Sequence, residues 1–134
     1  MMGLRSLAMK LYIIGALIAG TTGIAAIAEP NMAGEISYPK GSIGYEALMQ
    51  GDNERAIAQI LANEQVSRHD PAKLLNLGRA YARTGRTEQA AQIFEAALKS
   101  RESVDLVLAD GRVMSSKEAA HLAMANLQMR VAAR

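Results

Sequence analysis

Apolar residues recur every three or four positions between residues 71 and 98. In the stretch PAKLLNLGRAYARTGRTEQAAQIFEAALKS, Leu74, Leu77, Gly78 and Tyr81 fall at i, i+3, i+4 and i+7, on one face of a helix. Asp70 stands where a cap is needed. Pro71 follows in the first turn, where its missing N–H costs nothing. Gly85 ends this helix, and Thr87 is expected to cap the next. There Ala90, Ile93, Phe94, Ala97 and Leu98 form a second apolar stripe. Neither helix can bury its own stripe, so the two are expected to pair as a hairpin.

The pattern repeats. Laid over the following stretch with Ser37 on Pro71, the segment Ser37–Asp70 aligns on Pro71–Val104. Gly44 then falls on Gly78, Gly51 on Gly85, Glu54 on Glu88, Ala56 on Ala90 and Ala62 on Ala96, while Ile43 meets Leu77 and Ile60 meets Phe94. Small residues recur where two helices would cross closely. A fixed period of this length is the mark of stacked helical hairpins. At its clearer second copy, the chain resembles the tetratricopeptide repeat: Leu74, Leu77, Gly78, Tyr81, Ala90, Phe94 and Ala97 match that motif at its spacing. The first copy is degenerate. It keeps Gly44, Ala56 and Ile60, but has Ala47 where the motif has Tyr and Asn63 where it has a small Ala. The closing Pro is replaced by Arg68 and Glu102. The resemblance covers about half the chain.

Beyond the repeats, Val104, Leu106 and Leu108 alternate with Asp105, Val107 and Ala109 ahead of Asp110-Gly111, and Arg112-Val113-Met114 would return. This predicts a short β-hairpin over 104–114 rather than a further helical turn and loop. Ser115-Ser116-Lys117-Glu118 fits a capping box. The helix after it, 116–130, carries Ala119, Leu122, Ala123, Met124 and Leu127 on a broad apolar face. Two repeats are fewer than the three a stack usually needs, so this helix is expected to cap the Phe94 helix, with Lys117, Gln128 and Arg130 toward water. The expected fold is mainly α: two tetratricopeptide-type helical hairpins, a short β-hairpin and a C-terminal capping helix, together spanning 42–134.

The chain ahead of Ser42 reads differently. Arg5 and Lys10 open it, Leu11–Ala28 is uncharged throughout, and Ala26 and Ala28 precede Glu29. Basic, apolar and small residues in that order predict a signal peptide over 1–28 and a periplasmic protein. The alternative is an uncut signal anchor in the inner membrane, because the uncharged run is just long enough to span a bilayer. Residues 29–41, with Pro30, Gly34 and Pro39, read as an extended tether.

Composition narrows the function. Without Arg5 and Lys10 the chain carries as many acidic as basic residues, so a nucleic-acid partner has no electrostatic support. There is no Cys, and His69 and His121 alone cannot build a metal cage. His69 reads as a turn residue, His121 as a surface one, and Ser115 and Ser116 as capping residues. The segment Gly41-Ser42-Ile43-Gly44 lacks the Lys-Ser/Thr of a phosphate loop. No catalytic residue, metal or cofactor is expected, and the reading is non-enzymatic.

The resemblance implies a concave face lined by the first helix of each repeat, and ligands that are extended peptides. The residues at those positions are Tyr45, Leu48 and Met49 from the first copy, and Ala72, Leu75, Asn76, Arg79 and Arg83 from the second. Arg79 and Arg83 are four apart and project from one side, with Asn76 one turn earlier. They could hold a carboxylate or an acidic peptide. The competing reading is a solvated basic face that includes Arg86. The functions expected are an interaction module of the bacterial envelope or, with the leader retained at the membrane, a structural component of an envelope assembly.

Overall fold

The helix starts and stops written in the sequence set the element order. In the computed structural model, which describes Ser42–Leu108 and Asp110–Arg134, these are α1 (Tyr45–Met49), α2 (Asn53–Ala62), α3 (Pro71–Arg83), α4 (Thr87–Lys99), β1 (Asp105–Val107), β2 (Val113–Ser115) and α5 (Ser116–Ala132). The predicted signal peptide, the predicted tether and the opening of the predicted first repeat lie outside the described residues.

The period of the sequence is a backbone period. Gly51 and Gly85 both adopt the left-handed conformation, with φ of 74° and 78°. Behind each glycine the next N–H reaches back five residues, from Asp52 to the Ala47 carbonyl and from Arg86 to the Tyr81 carbonyl, both at 2.9 Å. This is one C-terminal cap used twice, and a glycine accepts its positive φ without strain.

Close approach repeats as well. A Cβ on Gly78 would lie 2.5 Å from Cε1 of Phe94, and one on Gly44 would lie 2.8 Å from Cδ1 of Ile60. In both hairpins a glycine therefore admits the large side chain sixteen positions later. The first hairpin is shorter than its periodicity predicts. Its first helix has five residues, because Gly44 takes a φ of 78° and stands before the helix rather than inside it.

Caps follow the sequence closely, with one correction. The Asp70 carboxylate accepts from the Lys73 N–H at 2.8 Å, and the Ser115 hydroxyl accepts from the Glu118 N–H at 3.2 Å. Thr87 is not a cap: it is the first helical residue of α4, and Arg86 before it makes no side-chain capping bond. Helix α5 runs two residues beyond the expected Arg130.

Helix α3 is the spine of the fold. Nine of its 13 residues are buried, so it must be covered on several sides. Leu77 and Ala80 join Ala47, Leu48, Ala56, Ile57 and Ile60 in one apolar layer. Leu74 and Leu75 join Phe94, Ala97, Leu106, Leu108, Ala120 and Leu127 in a second. Lys73, which the apolar pattern gave no reason to notice, is almost fully buried. Its ammonium donates to the carbonyls of Asn63 at 2.6 Å and Val66 at 3.1 Å, tying the end of α2 to α3.

The two strands pair antiparallel, with Leu106 opposite Met114 and Val107 opposite Val113. Alternation places Leu106 and Leu108 in the core and leaves Val107 exposed. Asp110-Gly111 does not form a two-residue turn. The Leu108 N–H instead donates to the Arg112 carbonyl at 2.8 Å across a three-residue loop, with Gly111 at φ 86°. Ser116 has a role beyond capping. It is fully buried, its hydroxyl accepts from the Val104 N–H at 3.1 Å, and its own N–H donates to the Val104 carbonyl at 2.8 Å. These bonds lock the hairpin to the start of α5. That helix then lies against α4 and, over part of its length, against α3.

Candidate functional site

The eight residues predicted to line a concave face divide into three groups. Leu48, Leu75, Asn76 and Arg79 are buried, Tyr45 and Ala72 are half-buried, and Met49 and Arg83 are exposed. The two leucines expected on the concave face are therefore core. Leu75 belongs to the layer shared with α5 and the β-hairpin, and Leu48 to the layer between the two helical hairpins. Arg79, expected to project beside Arg83 toward a ligand, is instead buried, with 6 % of it exposed.

Two of the polar residues bind backbone. The Asn76 amide donates to the Ile43 carbonyl at 2.9 Å, holding the segment before α1 onto α3. Its Oδ1 is buried with no hydrogen-bond donor beside it. The Arg83 guanidinium donates to the Leu48 carbonyl at 2.7 Å, in the last turn of α1, where a cation also suits the helix dipole. Arg86 does not extend the basic face. It pairs with Glu54 at 2.8 Å and lies over the Tyr81 ring, 5.8 Å from its centre, so it bridges the two hairpins.

Arg79 points elsewhere. Together with Ala82 and Phe94 it lines a narrow cleft, of about 10 Å³, closed on the far side by Ala123, Asn126, Leu127 and Arg130 of α5. Two guanidinium groups and one carboxamide, drawn from α3 and α5, thus border one small opening. Arg130, expected to face water, is half-buried here. Asn126 went unnoticed in the sequence and Arg130 was read only as a surface residue, although their i, i+4 spacing places them on one side of α5. Arg79, Arg83, Asn126 and Arg130 are all engaged within the protein. A ligand at this cleft would exchange contacts with them rather than meet idle side chains.

Chemistry elsewhere is sparse. Glu95 sits below the usual carboxylate range because Lys99 donates a hydrogen bond to it and adds its charge. Asp110 is lowered by the backbone and side-chain N–H groups of Arg112. Both carboxylates are on the surface and neither lines the cleft. His69 is exposed and receives the Arg68 Nε–H at 3.2 Å, and His121 is exposed on α5. Among the described residues no three His, Asp or Glu side chains come together as a metal would require, and no helix is long and apolar enough to cross a membrane. No protein-family model, curated protein or solved structure matches the chain.

Proposed function

We propose that the protein is a non-enzymatic interaction module of the tetratricopeptide type, holding an extended acidic peptide at the edge shared by α3 and α5. The observation that supports this reading is the convergence of Arg79 with Asn126 and Arg130 on one cleft. Arginine suits the task because its planar fork can hold a carboxylate through two parallel bonds. The opening has room for about one water molecule, so a peptide carboxylate would bind at its rim by exchanging contacts with the arginines, while the rest of the chain lay across α3 and α5.

Arg130 is the position to test, because Arg79 is built into the core. A panel of extended peptides carrying Asp or Glu, each matched with its Asn or Gln counterpart, is titrated by fluorescence anisotropy. Acidic members are expected to bind more tightly than their neutral twins. Arg130→Ala is expected to weaken them by about tenfold to a hundredfold, the worth of one charge-assisted hydrogen bond. Equal binding of acidic and neutral peptides would contradict the reading.

The proposed site of action is the periplasm, after cleavage behind Ala28. The support is the order of basic, apolar and small residues in 1–28. Intact-mass measurement on envelope-extracted protein is expected to give a chain starting at Glu29. A full-length mass would instead favour the membrane-anchored alternative.

A further inference from the structure

Helix α5 is apolar on two opposite sides. One side, with Ala119, Ala120, Ala123 and Leu127, is buried in the fold. The other carries Leu122, Ala125, Met129 and Ala132, all exposed, Leu122 to 41 % and Met129 to 62 %. These four residues are spaced 3, 4 and 3 apart, the spacing of a seam between two parallel or antiparallel helices. Beside the seam, Met124, Gln128 and Val131 form a groove of about 320 Å³ with Thr87 and Ala91 of α4, and no charged residue lines it. Helix α3, at the same stage of the preceding hairpin, is covered by both α2 and α4. Helix α5 meets α4 and part of α3 on its buried side, and among the described residues nothing covers the opposite one.

We infer that this seam is a homodimer interface, formed by α5 against α5 of a second copy running antiparallel about a two-fold axis. Three features select that occupant. First, the seam alternates large and small residues. Antiparallel pairing sets Leu122 opposite the partner's Ala132 and Ala125 opposite the partner's Met129, so each large side chain meets a small one. Parallel pairing would stack Leu on Leu and Met on Met and leave gaps between the alanines. Second, charge is disposed end to end. Glu118 lies at the start of the seam and Arg134 just past the helix end, so antiparallel copies put opposite charges at each end of the pair, whereas parallel copies gather like charges at the same end. Third, none of the four seam residues is charged, and Arg130, the one Lys, Arg, Asp or Glu between residues 119 and 132, lines the cleft toward α3 instead, so a copy meets no like charge across the seam. A two-fold interface requires this self-complementarity.

The chain has no cysteine, which makes a crosslinking test clean. Two differently tagged full-length copies, one with Leu122→Cys and one with Ala132→Cys, are co-expressed and oxidised. In the antiparallel register residues 122 and 132 of different copies face each other. Like positions are ten residues apart along the axis, about 15 Å, too far for a disulfide. A mixed disulfide in large excess over either like-with-like disulfide is expected. Because both positions are exposed, folding should survive both changes. Sedimentation of the full chain should give twice the chain mass, and Met129→Glu should return it to the chain mass with the same circular dichroism. Predominant 122–122 disulfides, crosslinks to another protein, or a monomer by sedimentation with no mixed disulfide would each overturn the inference.

Discussion

Truncation after Leu108 should abolish cooperative unfolding. The cut removes β2 and α5, and with them Ala119, Ala120, Ala123 and Leu127 from the larger apolar layer. Leu75, Phe94 and Ala97 would lose their cover, and β1 would lose its only paired strand among the described residues. The hydrogen bonds between Ser116 and Val104 would go as well. The layer between the two hairpins would survive, but it rests on three alanines, two leucines and two isoleucines and is too modest to hold a domain of this size. The expected result is a chain that binds apolar dyes, associates, and shows no sharp transition on heating. A monomer that melts like the full protein would mean that α5 is a passenger.

Phe94→Ala should be the most damaging single change, at about 3–5 kcal/mol. Phe94 is the only phenylalanine in the chain and, among the described residues, the largest of the fully buried side chains. It lies against Gly78 of α3, and it borders the cleft to α5, so its removal opens a cavity between three helices at once. Collapse into that space is limited, because Gly78 offers no side chain to fill it. Urea melts check the size of the effect. A loss below about 1 kcal/mol would show that the site repacks, which rigid neighbours on three helices do not allow.

Much of this architecture was legible in the sequence because it rests on local spacing. Gly51 and Gly85 mark helix ends through backbone conformation alone. Gly44 and Gly78 can be paired with Ile60 and Phe94 because the same separation occurs twice. The caps at Asp70 and Ser115 are also short-range. The functional face was less legible, since its burial depends on packing between distant elements. Leu75 and Arg79 look exposed on a bare hairpin and become covered only when α5 and the β-hairpin arrive. Asn76 and Arg83 look like ligand donors, but each finds a backbone carbonyl far away in the chain, at Ile43 and Leu48. Lys73 carries no sequence signal, yet it holds the carbonyls of Asn63 and Val66 just beyond α2. No periodic signal reports contacts of that kind.

The central structural claim is that the hairpin closes through contact of Gly78 with the Phe94 ring, and a double-mutant cycle tests it most directly. A methyl group at Gly78 would lie 2.5 Å from the ring. Gly78→Ala in the wild-type chain should therefore cost about 1–3 kcal/mol by overpacking. In a Phe94→Ala chain the ring is gone, and the same change should stabilise by about 0.5–1 kcal/mol, the usual gain of alanine over glycine within a helix. If Phe94→Ala leaves too little folded protein, Phe94→Val serves as the background. Opposite signs in the two backgrounds, read from urea melts, are the predicted result. An equal cost in both would contradict the contact and the register of the hairpin built on it.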